Sequence, residues 1–141
     1  MLKRMIVEHF RGITHKEVTF EKITEFLGTN QSGKSTIAAA FFWGCDGKDE
    51  KNRSNFDIRH RHRPENDPRV TLDFGSIKLR KTYKSGKAGN TILYQVDKGL
   101  GFDTINMNDC EVKGDHIKGY NTYIDEMFPM FRMCADIFYF A

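Results

Sequence analysis

The sequence predicts an α/β fold, a β-rich mixed sheet wrapped around one prominent helix. Three observations carry that prediction. Residues 28–35 read Gly-Thr-Asn-Gln-Ser-Gly-Lys-Ser and run straight into an Ala-rich, Pro-free stretch at 36–43. A glycine-bounded loop followed by such a stretch marks a tight turn that opens a helix. Ahead of the loop stand two strand-like segments and the short run Ile-Thr-Glu-Phe-Leu at 23–27. Behind the helix, strand patterns follow one another, without the strand–helix alternation of a doubly wound sheet.

The loop fits G-x-x-x-x-G-K-[ST], the phosphate-binding pattern known as Walker A. Gly28 and Gly33 let the backbone turn tightly and admit positive φ. The N–H groups of Asn30, Gln31, Ser32 and Gly33 can then point inward and cradle phosphate oxygens. The helix that follows presents its positive end to the same anion. Lys34 can reach the β- and γ-phosphates as a mobile charge and is the candidate catalytic residue. Ser35 is the candidate Mg²⁺ ligand through its hydroxyl, with Thr36 as the neighbouring hydroxyl. The guanine-reading patterns N-K-x-D and D-x-x-G are absent, which favours ATP by default.

At 141 residues the chain is expected to form one domain, 1–141, with a real core. Apolar residues make up 39% and charged residues 29%, an ordinary globular balance. A net charge of +3 is too small to argue nucleic acid or membrane by itself. Cys45, Cys110 and Cys134 are odd in number and widely spaced, with neither a disulfide framework nor a zinc pattern. The apolar run at 37–45 is too short to span a bilayer. The N-terminus lacks a long apolar signal core. A cytoplasmic protein with no membrane partner is the expectation.

Residues 1–10 read as a strand, broken at Arg11-Gly12, and residues 15–20 alternate as a half-buried second strand. The helix is expected from about 34 to 45, with Ile37, Ala38, Phe41, Phe42 and Cys45 as its apolar face and Gly44 and Gly47 ending it. Its aromatics read as core and not as an adenine platform. Residues 46–68 are polar and contain Arg-His-Arg-His-Arg at 59–63. A solvated loop is the favoured reading there, with contact to nucleotide or nucleic acid as the alternative and a His60/His62 metal pair as the remote one. Residues 70–74 and 77–83 alternate about Gly75-Ser76, a tight hairpin, and 91–96 is a third strand. Lys78 and Arg80, with Lys81, Lys84 and Lys87 near, make a basic strand face. A solvated face is favoured over a DNA contact. Residues 98–108 suggest a turn and another short hairpin. A second helix is placed within 115–128, with Asn121 as a candidate cap and Pro129 as its stop. The apolar strand at 134–141 has no successor to pair with, so the expectation is an N-terminal piece of a longer protein.

A Walker B strand should be an apolar run ending in Asp or Asp-Glu. Residues 123–126, Tyr-Ile-Asp-Glu, come nearest, but the run is too short, and Asp125 and Glu126 read as helix-surface carboxylates. No Gly-Gly pair exists, so no signature of the LSGGQ type is present.

Taken together, the first strand, Phe10-Arg11-Gly12, the second strand, the loop G-x-N-x-S-G-K-S-T and the Ala-rich helix resemble the N-terminal segment of the SMC/ABC-type DNA-repair ATPases. SbcC, RecF and phage-encoded AAA-like ATPases are of this kind. The resemblance implies a P-loop NTPase, the N-terminal lobe of an ABC-type head. It implies that Arg11 approaches bound nucleotide and that Asn30 is the loop asparagine of the family. It further implies ATP and Mg²⁺ as ligands, the remainder of the ATPase head and a second protomer as partners, and DNA as a further one. The complete protein would then hydrolyse ATP, while this segment would bind it and turn it over poorly. Two rivals stand beside this: a small phosphotransferase with residues 59–63 as a lid, and a nonenzymatic interaction module.

Overall fold

The computed structural model describes residues 2–20, 34–47, 66–85, 89 and 91–128. Strands β1 (Arg4–Phe10) and β2 (Ile13–Thr19) precede helix α1 (Lys34–Asp46). Strands β3 (Arg69–Asp73), β4 (Lys78–Lys84), β5 (Thr91–Asp97) and β6 (Phe102–Ile105) follow it. A short ribbon, β7 (Cys110–Val112) and β8 (Asp115–Ile117), then leads to α2 (Tyr120–Met127). The first six strands form one sheet in the order β2-β1-β3-β4-β5-β6.

Every pairing among the described residues is antiparallel. The mixed sheet expected from the sequence is thus an antiparallel one over these residues. Connections of a few residues join β1 to β2, β3 to β4, β4 to β5 and β5 to β6, and strands so closely joined pair that way. The strands expected at 23–27 and 134–141 lie outside the described residues.

The register explains the core. Val18, Met5, Leu72, Leu79 and Val96 pair across the sheet in one row. Val7, Val70, Lys81 and Tyr94 form the next row on the same face. Both helices pack on this face, and Met5, Val7, Val70, Leu72 and Leu79 are completely buried beneath them. The other face carries the row Ile6, Thr71, Arg80, Gln95 and Thr104. There the Arg80 Nε–H donates to Thr71 Oγ1 at 3.3 Å, and the guanidinium stacks 3.6 Å from the Phe102 ring centroid.

One residue interrupts the alternation. His9 adopts φ +52°, a region that costs a non-glycine residue about 1–2 kcal/mol. Strict alternation would put Phe10 on the face opposite Val7. Instead Phe10 is fully buried with its ring 5.9 Å from that of Trp43 on α1. Burying a Phe side chain contributes about 1.5–3 kcal/mol, enough to offset the strained turn of the chain.

Several expected boundaries move. Gly44 does not end the first helix: α1 continues to Asp46, and Gly47, at φ +79°, terminates it. Gly44 lies inside because α1 approaches β3 so closely that a Cβ there would stand 3.0 Å from Val70 Cγ1. The second helix falls within 115–128 as expected, but residues 115–117 at the front of that range are a strand, and the N-cap of α2 is Gly119, not Asn121. Gly119 brings no side chain, so the loop before β7 supplies the cap from a distance. Asp109 accepts from Gly119 N–H at 2.6 Å, Asn106 C=O from Tyr120 N–H at 2.8 Å and Met107 C=O from Asn121 N–H at 2.9 Å. Of the turn and short hairpin expected within 98–108, the turn is there but only one strand, β6, follows it and pairs back with β5; Asp97 holds the turn by accepting from Gly99 and Gly101 N–H. Among the described residues no helix is long and apolar enough to cross a membrane.

Candidate functional site

Helix α1 is the element that would mount the phosphate loop. Lys34 and Ser35 open it and Thr36 follows in the first turn, as expected from the sequence. Gly28, Asn30, Gln31, Ser32 and Gly33 lie outside the described residues, as do the segment at 59–63, Lys87, Cys134 and Pro129. The first N–H groups of any helix lack partners within it and carry the positive end of its dipole. A loop delivered into this end therefore meets a site already biased toward anions.

How α1 is seated follows from its side chains. Ala39 and Ala40 are fully buried and Gly44 touches Val70, so small residues let the helix lie close on β1 and β3. Phe42, Trp43 and Cys45 are buried beside them, while Ile37, Ala38 and Phe41 of the expected apolar face are only partly buried, so the buried face is turned toward Ala39, Ala40 and Trp43. Phe41 meets both Phe42 and Phe128 edge-on, at 5.8 and 5.6 Å between centroids.

The last turn is fixed by two polar contacts from other elements. Lys81 on β4 donates from Nζ to the Trp43 carbonyl at 2.9 Å. Tyr120 on α2 donates from its hydroxyl to the Gly44 carbonyl at 2.6 Å. The ammonium lies 5.0, 5.6 and 6.0 Å from the ring centroids of Trp43, Tyr94 and Tyr120, within cation–π range. Burial raises the Tyr120 hydroxyl well above its usual pKa, so it stays a neutral donor, and burial raises Tyr94 in the same direction. Lys81 was expected near an accessible basic strand face. At 3% exposure it belongs to the core face, because it stands two residues from Leu79. Lys78 and Arg80 point the other way. Burial first, and then repulsion from Arg69, lowers the Arg80 guanidinium from its ordinary value.

Arg11 occupies the β1–β2 turn with φ +52°. Its guanidinium is 6.0 Å from the Phe10 ring, which meets Trp43. Trp43 stands nine residues after Lys34, roughly 13 Å along a helix axis at 1.5 Å per residue.

A cleft of about 240 Å³ opens at the end of β1 and the start of β3, lined by Glu8, His9, Asn66, Asp67 and Arg69. His9 Nδ1 is buried there without a hydrogen-bond partner among the described residues. No group of three His, Cys, Asp or Glu side chains that could hold a metal occurs among the described residues. Asp125 and Glu126 are exposed on α2, and Glu126 pairs with Lys118 at 2.9 Å, so they are surface carboxylates as expected.

The i, i+2 relation of Leu79 and Lys81 in the sequence marks the lysine as inward-facing. Gly114 is the sequence signal of the β7–β8 turn, where Lys113 and Gly114 both adopt positive φ.

No curated protein matches the chain. A family model described as AAA domain matches residues 4–134, which takes in both opening strands, the loop pattern, α1, the antiparallel sheet and α2. Domains of that family are nucleotide-binding ATPase modules. The chain therefore belongs to the AAA-domain family.

Proposed function

We propose that the chain binds ATP–Mg²⁺ on the loop at residues 28–35 and serves as the nucleotide-binding lobe of a DNA-metabolism ATPase of SMC/SbcC-like type. The observation that carries the reading is the direct run of the G-x-x-x-x-G-K-S pattern into the N-terminus of α1. Gly28 and Gly33 shape the turn. Asn30, Gln31 and Ser32 offer backbone N–H groups to the phosphates. Lys34 places its charge between the β- and γ-phosphates, Ser35 holds Mg²⁺ and Thr36 backs it. For Arg11 the proposal requires the guanidinium to reach nucleotide from the β1–β2 turn. Mg²⁺ would neutralise phosphate charge during transfer to water.

Hydrolysis also needs a group that orients water and a group that closes over the γ-phosphate. Asp125 and Glu126, the nearest carboxylate pair to a Walker B pattern, lie on the surface of α2. We therefore assign those roles to the remainder of a longer ATPase head and to a second protomer, with DNA as the substrate of the coupled motion. Alone, this chain would bind ATP and turn it over only in traces.

Thermal unfolding with and without ligand tests the binding. At a ligand concentration of about 100 Kd, a nucleotide that binds only the folded state stabilises it by about 2.7 kcal/mol. For a chain of this size that raises the melting point by roughly 10 °C. The rise should vanish when a chelator removes Mg²⁺. A melting point unmoved by Mg·ATP would overturn the proposal.

A further inference from the structure

Two buried side chains from separate elements converge on the end of α1 opposite the phosphate loop. Lys81 comes from the middle of the sheet and Tyr120 from the first position of α2. They donate to consecutive carbonyls, Trp43 and Gly44, at 2.9 and 2.6 Å. Lys81 is 3% exposed and Tyr120 not at all, so water cannot replace either donor. An ammonium is costly to bury, and an apolar side chain would suit the row of Val7, Val70 and Tyr94 in which Lys81 sits. The packing of the sheet does not call for a lysine there. The end of the helix does: the Trp43 carbonyl, which already accepts from the Gly47 N–H, has a second lone pair to offer, and the last turn carries the negative end of the dipole.

We infer that Lys81 and Tyr120 are positioning residues for the nucleotide, a two-point clamp that fixes the tilt and rotation of α1 and thereby the placement of Lys34 and Ser35. The inference rests on the nucleotide reading above. Ala39, Ala40 and Gly44 seat α1 close on the sheet, and Phe42, Trp43 and Cys45 pack beside them. Apolar packing of this kind is non-directional, and the two hydrogen bonds add direction at the last turn. Displacements of about 1 Å at a site that binds through geometry lower its efficiency by up to about 10²-fold. The clamp also links α2 to the loop. Tyr120 is the residue whose N–H is held by Asn106, so the loop before β7, α2 and the far end of α1 form one connected unit.

Binding of Mg·ATP should be measured by calorimetry on the full chain, below the melting point of every form, for wild type, Tyr120→Phe, Lys81→Met and Val96→Ala. Tyr120→Phe keeps the ring and removes one donor. Lys81→Met keeps the length and removes the other. Val96→Ala removes buried volume from β5 and leaves both clamp bonds in place. Both clamp variants should bind roughly tenfold more weakly, a typical coupling between linked sites. Val96→Ala should bind as wild type does, even where it melts lower. Coupling is reciprocal, so Mg·ATP should also slow hydrogen exchange at the Gly47 amide, which donates to the Trp43 carbonyl at 2.9 Å, in wild type more than in Tyr120→Phe. Unchanged affinity in both clamp variants would overturn the clamp and leave the nucleotide reading standing. So would an affinity loss in Val96→Ala equal to theirs. A wild-type chain that binds no Mg·ATP would overturn both.

Discussion

Replacing Gly119 by Ala should be among the most damaging single-methyl changes available to this chain. Helix-capping preferences alone would make it a modest change. The surroundings make it a large one. A Cβ at residue 119 would lie 2.2 Å from the carbonyl carbon of Asn108 and 2.6 Å from both its Cα and its oxygen. These are backbone atoms and cannot rotate away. Ordinary carbon contacts need about 3.5–4.0 Å, so one segment must move by over 1 Å. That movement acts on the bonds that start α2: Gly119 N–H to Asp109, Tyr120 N–H to Asn106 C=O and Asn121 N–H to Met107 C=O. Overpacking costs about 1–3 kcal/mol. Each lost hydrogen bond adds a net 0.5–1.5 kcal/mol, roughly. With one or two of the three bonds lost, a total of about 3–4 kcal/mol corresponds to a melting point roughly 10 °C lower, read by circular dichroism. Gly12→Ala is the matched control. Nothing lies within 4 Å of a Cβ there and its φ is not positive, so the change should be neutral or stabilise by up to about 1 kcal/mol. If Gly119→Ala melts with wild type, α2 is not anchored on the loop before β7 as described.

The acid limb of stability should depend on two turn carboxylates. Asp109 is held below its ordinary value first by the Gly119 N–H and then by the Thr122 hydroxyl, and Asp97 first by the Gly99 N–H. A depressed folded value means stability that is complete above the unfolded value near pH 4 and is lost as pH falls through the folded one. Melting points taken from pH 7 down to pH 3 should therefore fall less steeply for Asp109→Asn than for wild type, and identical slopes would refute the assignment. Thiol reactivity should separate the cysteines. In a Cys134→Ser background, Cys110 on the partly exposed β7 should react promptly with a thiol reagent, while Cys45, 2% exposed in the core, should react only on unfolding.

How far the sequence foretold the fold can be judged from particular residues. The hairpin at Gly75-Ser76 was legible because alternation on both sides fixed the faces, and Gly75 takes the φ of +90° that the turn requires. The helix after the loop was legible from its composition. Its end was not, because Gly44 has two uses: glycine stops helices, and it also lets a helix touch a strand, and only the neighbouring Val70 decides between them. Lys81 falls on the core face although its charge suggests an accessible one, and one partner that helps to make its burial tolerable, the Trp43 carbonyl, lies 38 residues earlier. The start of α2 was missed for the same kind of reason. Its cap is a carboxylate ten residues back and two loop carbonyls, so no local pattern announces it. Local signals foretold local turns, and polar contacts over long sequence separations set the element ends.

The central claim is that Lys34 and the loop before it bind the phosphates of ATP. Calorimetric titration of Mg·ATP into the wild-type chain and into Lys34→Ala addresses it directly. Lys34 is the first residue of α1, so the substitution keeps a strong helix former at that position and alters the charge offered to the phosphates. The account predicts saturable binding near one nucleotide per chain for wild type and none measurable for Lys34→Ala, with the two apo proteins melting alike. Equal affinities in the two forms would contradict it.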